Sequence, residues 1–205
     1  MATTLDPSER AKQERRRQIM TAAKLVFADA GYHGASINAI IEKAQIARGT
    51  FYLYFESKAT VFDAILDQAM AELRSRIHRI EVDDKNAPPP QAQLREQILA
   101  TLDFIVKDRP LATLLLSAGH TPDAEAAERL DQFFGEVRSL LVRAMESGME
   151  IGLLRKVDPQ LAAAAMLGMI RGVIEHLIRD QNPQPIDTVV AEVLMVALRG
   201  VLRTG

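Results

Sequence analysis

The sequence predicts an all-α protein of about nine helices, a small N-terminal three-helix head followed by a larger helical body. Three observations predict it. Apolar residues recur at spacings of three and four along most of the chain. No segment sustains period-two alternation, so no sheet is expected. The chain is rich in Ala, Leu, Met, Glu and Arg and only 5% aromatic, a composition that favours helix.

Each helix has its own signals. Residues 1–11 are polar and are expected to form a flexible arm. From Lys12 the pattern turns helical, with Ile19, Ala22, Ala23, Val26, Phe27 and Ala30 on one face and Gly31 as the stop. Ser36 is suited to cap a short second helix that turns Ile37, Ile40 and Ile41 inward. The connection Ala44-Gln45-Ile46-Ala47 leads to a third helix, Arg48 to Phe55. Ser57 caps a long fourth helix with the stripe Phe62, Ile65, Leu66, Ala69, Leu73, Ile77 and Ile80.

The acidic, proline-ended segment Glu81 to Pro90 reads as a loop. Helix five is expected over Gln91 to Lys107, and Pro110 confines helix six to a short segment that starts beside it. Thr121-Pro122 reads as cap and first residue of a long seventh helix through Glu150, ended by Gly148 and Gly152. Asp158-Pro159 repeats the signal for helix eight, to about Asp180. After the turn Asn182 to Pro185, the last helix covers Asp187 to Arg203.

Composition narrows the function classes. With 48% hydrophobic and 25% charged residues the balance is that of an ordinary globular protein. The absence of cysteine excludes disulfides and thiol chemistry and fits a reducing, cytoplasmic setting. The longest nearly apolar run, Leu161 to Ile170, is too short to span a bilayer, and the N-terminus has no apolar signal region. The histidines are scattered, with no i, i+4 pair, and no glycine-rich phosphate loop follows a strand. No enzyme, cofactor or metal is therefore expected. The net charge of -2 is uneven: residues 1–58 carry 9 Lys or Arg against 6 Asp or Glu, and the remainder is acidic. A basic head on an acidic body suits one end that meets a polyanion.

Two short helices joined by a tight turn, the second polar and aromatic, form a helix-turn-helix layout. A recognition helix must place its first residues against base edges and phosphates in the major groove. Arg48 stands in the first turn, where it can bind a guanine or a phosphate. Gly49 allows close approach of backbone to DNA. Thr50 can donate to a phosphate, and the hydroxyls of Tyr52 and Tyr54 can do the same. Phe51 and Phe55, four apart, share one face and are expected in the core. Lys58 lies in the first turn of helix four, whose free N–H groups already favour a phosphate. Arg10, Lys12 and Arg15 can add contacts from the arm, although such charges more often only solvate a helix face.

The stretch ASINAIIEKAQIARGTFYLYFESK, Ala35 to Lys58, resembles the DNA-binding signature of the tetracycline-repressor (TetR) family. The preceding LVFADAGYHGAS and, before helix eight, GLLRKVDPQLAAA fit the same resemblance. It implies a DNA-binding domain over 1–57 and a helical regulatory and dimerisation domain over 58–205. It implies DNA contacts by Ser36, Thr50, Tyr52, Tyr54 and Lys58, and sequence reading by Arg48 and Leu53. Two residues depart from the family pattern. Gln45 stands where glycine is usual, at a cost of about 1–2 kcal/mol if left-handed. Ala47 stands where serine is usual and forgoes a cap worth about 0.5–2 kcal/mol.

Helices eight and nine carry two wide apolar faces, more than one neighbour needs. Met166, Ile170, Val173, Leu177, Val189, Val193 and Val196 are expected at a two-fold interface between subunits. Met70, Phe104, Phe133, Met145 and Met149, with the polar groups His120, Arg171 and His176, are candidates for a pocket that takes a mainly apolar ligand. A Met or Phe at helical spacing is more often plain core, and an Arg171–Glu175 ion pair four residues apart is the first account of the arginine. The resulting expectation is a homodimeric repressor, released from near-palindromic operator DNA by a small-molecule effector. The alternative is a helical-bundle small-molecule-binding protein or enzyme without specific DNA binding.

Overall fold

The computed structural model describes residues 6–117, 123–180 and 184–201, with side chains to 196. Nine helices make up the described chain, and no strand occurs among the described residues. They are α1 (Pro7–Gly34), α2 (Ile37–Ala44), α3 (Arg48–Tyr52), α4 (Lys58–Arg76), α5 (Pro90–Lys107), α6 (Arg109–Leu116), α7 (Ala124–Glu150), α8 (Pro159–Arg179) and α9 (Ile186–Val201).

The packing resolves into two compact units, Met1–Ala69 with Thr113–Asp131, and Met70–Ala112 with Gln132–Gly205. The helices α4 and α7 thus each belong in part to both units. In the first, Ile19, Met20, Ala23 and Phe27 of α1 are buried, with Ile40 of α2, Phe51 and Phe55, and Val61, Phe62 and Ile65 of α4. Phe27, Tyr32 and Phe62 form a closed aromatic trio with ring centroids 4.8–5.6 Å apart, a separation at which edge-to-face pairs add to the burial energy. Burial of each such side chain stabilises the fold by about 1.5–3 kcal/mol.

In the second unit α5 packs on α8 and α9. Leu141 and Val142 of α7 close on Ala163 of α8, flanked by Val137, Met166 and Leu167. The C-terminal end of α7 depends on a missing side chain. A Cβ at Gly148 would lie 2.7 Å from Cδ1 of Leu154, which is buried after folding back over the helix and donating its N–H to the Gly148 carbonyl at 2.9 Å.

Several boundaries differ from expectation for local reasons. The first helix starts at Pro7, so residues 7–11 are helical and not a flexible arm; Pro at the first position and Glu9 in the first turn both favour a start there. Gly31 does adopt the left-handed φ of 69° that breaks the helix, but another turn follows to Gly34. The third helix ends at Tyr52 and the fourth at Arg76, so Ile77 and Ile80 lie beyond it. The long seventh helix is capped by Asp123, whose carboxylate accepts the Ala126 N–H at 3.1 Å. The expected cap Thr121-Pro122 and the pocket candidate His120 lie outside the described residues. Asp158 caps α8 as expected, accepting from Gln160 and Leu161 at 2.9 and 3.0 Å. Taken whole, the 21 residues of α8 are long and apolar enough by composition to cross a membrane, a longer span than the run Leu161 to Ile170 suggested.

Candidate nucleic-acid interface

The helix-turn-helix is fixed by caps and by two phenylalanines. The Ser36 hydroxyl accepts the Ala39 N–H at 3.1 Å and starts α2. The helix stops at Gln45, which is left-handed at φ 52°, ψ 48°. Its N–H bonds to the Glu42 carbonyl at 3.1 Å, and that of Ile46 to the Ile41 carbonyl at 3.2 Å. That pair of bonds is a Schellman ending, which normally takes glycine at this residue. The carbonyl of Ala44 is satisfied from α1, where Gln18 Nε2 donates at 2.7 Å. Ala47 then opens α3 without any side-chain cap.

Phe51 and Phe55 anchor the segment in the core, and this decides what faces outward. Arg48 and Gly49 are exposed, Tyr52 is 44% exposed and Leu53 80%, while Thr50 and Tyr54 are half-buried. Arg48 is held in place by Nη1 donating to Asn38 Oδ1 at 3.1 Å and by its guanidinium lying 5.8 Å from the Tyr52 ring centre. The outcome is a small convex surface with one cation, a phenol, a bare glycine backbone and an exposed leucine. Such a set can reach phosphates and base edges.

Lys58 is used differently from a free surface cation. Its Nζ donates to the carbonyls of Tyr32 at 2.7 Å and Ala35 at 3.2 Å, and lies 4.2 Å from the Tyr32 ring centre. It therefore ties the start of α4 to the end of α1. A polar cluster surrounds Tyr32 that the sequence reading missed. The Tyr32 hydroxyl donates to Glu125 Oε2 at 3.1 Å. Arg129 binds Glu125 at 3.1 Å and makes a second ion pair with Asp63 of α4. His33 stands 3.7 Å from Asp123. Burial, and then the bond to Glu125, hold the Tyr32 phenol well above its ordinary pKa, so it is a donor throughout the physiological range. The partner of its hydroxyl lies 93 residues away in sequence, and only the aromatic next to the helix-breaking Gly31 hinted at the role.

The pocket candidates fall into different environments. Met70, Phe133 and Met145 are buried. Phe104 is half-buried beneath the Arg76 guanidinium, 4.5 Å from its ring centre. Met149 is half-buried, its sulfur accepting the Val157 N–H at 3.4 Å. Arg171 lies over Phe134 at 5.4 Å, and Phe134 meets Phe133 edge to face. Glu175, expected to pair with Arg171, pairs with Arg179 at 2.8 Å. His176 is exposed.

On the last two helices one expectation needs correction. Leu177 is 3% exposed within a single chain. It belongs to the chain's own core and has no surface left for a second subunit. Met166 packs half-buried against α7, and Ile170, Val173, Val189 and Val193 are also half-buried. Val196 is 70% exposed, as is Leu161 at 72%, which the sequence reading overlooked. Leu161 shares its side of α8 with exposed Ala164, Ala165, Gly168 and Gly172, at spacings of three, four, seven and eleven.

A short anchored helix with an outward cation, phenols and a bare glycine, set behind a second helix and a tight turn, defines a helix-turn-helix DNA-binding protein. The family follows from comparison. Residues 19–65 match the model for bacterial regulatory proteins of the tetR family, and residues 87–201 match the tetracyclin repressor-like C-terminal domain. The chain belongs to the TetR family and is a DNA-binding transcriptional regulator. It is 31% identical over 164 residues to the HTH-type transcriptional repressor KstR of Rhodococcus jostii, covering 79% of this chain and 71% of that protein. It is 22% identical to the fatty acid metabolism regulator protein of Bacillus subtilis, over 93% of this chain and 97% of that one. Among solved structures, the fold is shared with the transcriptional regulator FadR of Bacillus subtilis in complex with stearoyl-CoA, at TM-score 0.74, 20% identity, and coverage of 90% and 98%. It is shared equally with SmeT of Stenotrophomonas maltophilia in its triclosan complex, at TM-score 0.73, 21% identity, and coverage of 94% and 93%.

Proposed function

We propose that the protein is a homodimeric transcriptional repressor of the cytoplasm, which binds a near-palindromic operator and is released by a mainly apolar small molecule. Residues 1–57 read DNA and residues 58–205 dimerise and bind the effector. The observation that carries this reading is the outward surface of α3, with Phe51 and Phe55 buried beneath it. On it Arg48, kept in place by Asn38 and Tyr52, addresses a guanine, and Leu53 meets a thymine methyl. Ser36, Gly49, Thr50, Tyr52 and Tyr54 hold the phosphates. Lys58 joins them with the donor capacity left after its two carbonyl bonds.

The exposed apolar residues Leu161, Met195 and Val196 support pairing of α8 and α9 with a second copy, since a partner on that side would remove their apolar surface from water. Two-fold pairing places the recognition helices about 34–36 Å apart, one turn of DNA. The effector reading rests on the buried Met70, Phe133 and Met145, with Arg171 over Phe134 for an anionic end group. Structural neighbours that carry stearoyl-CoA and triclosan favour the same apolar class. An effector that prefers one of two states by a few kcal/mol shifts DNA affinity by that amount.

The test has two stages. Selection of bound sequences from a random duplex pool should enrich a palindrome. Long-chain acyl-CoA and triclosan are then titrated against the complex with that palindrome. Release of DNA supports the effector class. Enrichment without release by either probe removes that class and leaves the regulator intact, whereas no enrichment at low salt removes the regulator reading.

A further inference from the structure

The first helix extends beyond the head it supports. Every residue from Asp6 to Arg17 is exposed, yet the helix runs on from Pro7. The first contacts with the head are Arg16, whose guanidinium lies 5.1 Å from the Phe55 ring centre, and Gln18, bonded to Ala44. These are the two ends of the helix-turn-helix: Ala44 closes α2 before the turn, and Phe55 closes the recognition segment. The extension therefore leaves the head beside the DNA-reading elements.

Its charges are sorted by face. Ile19, Ala22 and Ala23 point into the head. Lys12, Arg15 and Arg16 precede Ile19 by seven, four and three residues, so they continue the same face of the helix. The inward face of α1 is thus apolar where the head lies under it and basic where the head ends. Arg10 and Arg17 lie on the opposite side, where Arg17 pairs with Glu14. At about 1.5 Å per residue, Lys12 stands about 6 Å beyond Arg16 along the axis.

We propose that Lys12, Arg15 and Arg16, on the inward face of the helical extension of α1, grip phosphates of duplex DNA flanking the bases read by α3. Three of the five cations of the extension stand where the apolar stripe would continue, and of the two on the other side Arg17 is paired with Glu14. The contact is to the sugar–phosphate backbone, so it strengthens binding and widens the footprint without reading sequence. The inference rests on the regulator reading above.

The test compares two double variants of the full-length protein, each removing two positive charges. Lys12→Gln/Arg15→Gln alters the inward face, and Arg10→Gln/Arg17→Gln the outer one. All four side chains are exposed, so neither pair disturbs the core, and Arg16 is left in place over Phe55. Affinity for the selected operator and for a random duplex is measured over a salt series. Each lost phosphate contact lowers the slope of log K against log salt by about 0.9. With two subunits on the DNA the inward pair removes four contacts, so it should lower the slope by about 3.6 and weaken operator and random DNA by the same factor, while the outer pair leaves it within about half a unit. Equal effects of the two pairs, no effect of either, or a loss confined to the operator would overturn the inference. Failure of the unaltered protein to bind DNA overturns the regulator reading itself and is visible before any variant is made.

Discussion

Gln45→Gly should stabilise the protein, and the structure sets the size of the gain. Gln45 sits in the left-handed region at φ 52°, where a Cβ crowds the following carbonyl at a cost of about 1–2 kcal/mol. Its side chain is exposed and makes no hydrogen bond among those described, so its loss forfeits no contact. Glycine keeps both bonds of the Schellman ending but is more flexible when unfolded, which returns about 0.5–1 kcal/mol. The net gain is about 0.5–1 kcal/mol, or about 1–4 °C in melting temperature for a chain of this length. Differential scanning calorimetry of the parent, Gln45→Gly and Gln45→Ala separates strain from side-chain loss, since alanine keeps the Cβ. Glycine should melt highest, and alanine should match the parent. A glycine variant that melts no higher than the parent, or an alanine variant that gains as much, refutes the strain argument.

Ala47→Ser should supply the missing cap of α3 and stabilise by about 0.5–2 kcal/mol, read as a higher urea midpoint with operator affinity retained. Replacing thymine by deoxyuridine one site at a time in the selected operator should weaken binding at the position Leu53 covers, and Leu53→Ala should abolish that difference; equal losses in both proteins would remove the methyl contact. Leu161→Glu combined with Val196→Glu places charge on exposed apolar positions and should turn dimers into monomers in sedimentation velocity, whereas an unchanged dimer would place the interface elsewhere. The bond from the Ala126 N–H, assisted by His33, holds Asp123 below its ordinary carboxylate pKa. Its stabilisation is present above the unfolded value and is lost as pH falls through the folded one. Asp123→Ala should therefore lower the melting temperature at neutral pH and bring it closer to the parent in acid; a constant gap at every pH would contradict this.

Legibility followed locality. Ser36, Ser57 and Asp158 are caps whose partners lie two or three residues on, and the sequence alone placed all three. Phe51 and Phe55 were identified as core by their spacing, which also fixed what α3 turns outward. The left-handed conformation at Gln45 was signalled only by the resemblance, since glycine is usual there in the family. What the sequence could not supply was partnership at a distance. Lys58 reads as a free cation in a first turn, yet two carbonyls at the end of α1 hold it. Leu177 and Val196 both read as interface by periodicity, but Leu177 is in the chain's own core, while Val196 is exposed in the single chain. Periodicity gives the face of a helix, not which neighbour covers each part of that face.

The cluster around Tyr32 bears on how a regulatory signal would enter the head. The unit that contains α1 to α3 also contains the first part of α4 and the start of α7. Within it, Tyr32 at the end of α1 bonds to Glu125 of α7, and Arg129 of α7 bonds to Asp63 of α4. Arg129 Nε is buried without a hydrogen-bond partner among the described residues, so the guanidinium relies on its two carboxylates to offset its desolvation. The three helices are thus joined by a phenol–carboxylate hydrogen bond and by an arginine shared between two carboxylates. Displacing the start of α7 by an ångström or two would break the Tyr32–Glu125 bond, or else carry the end of α1 with it. Lys58 also grips that end of α1, and Ser36 starts α2 two residues beyond Gly34. The route from the start of α7 to the DNA-reading helix therefore runs through one compact unit, in which the Tyr32–Glu125 bond and the Arg129 ion pairs stand beside the buried Ala126 and Leu130 of α7.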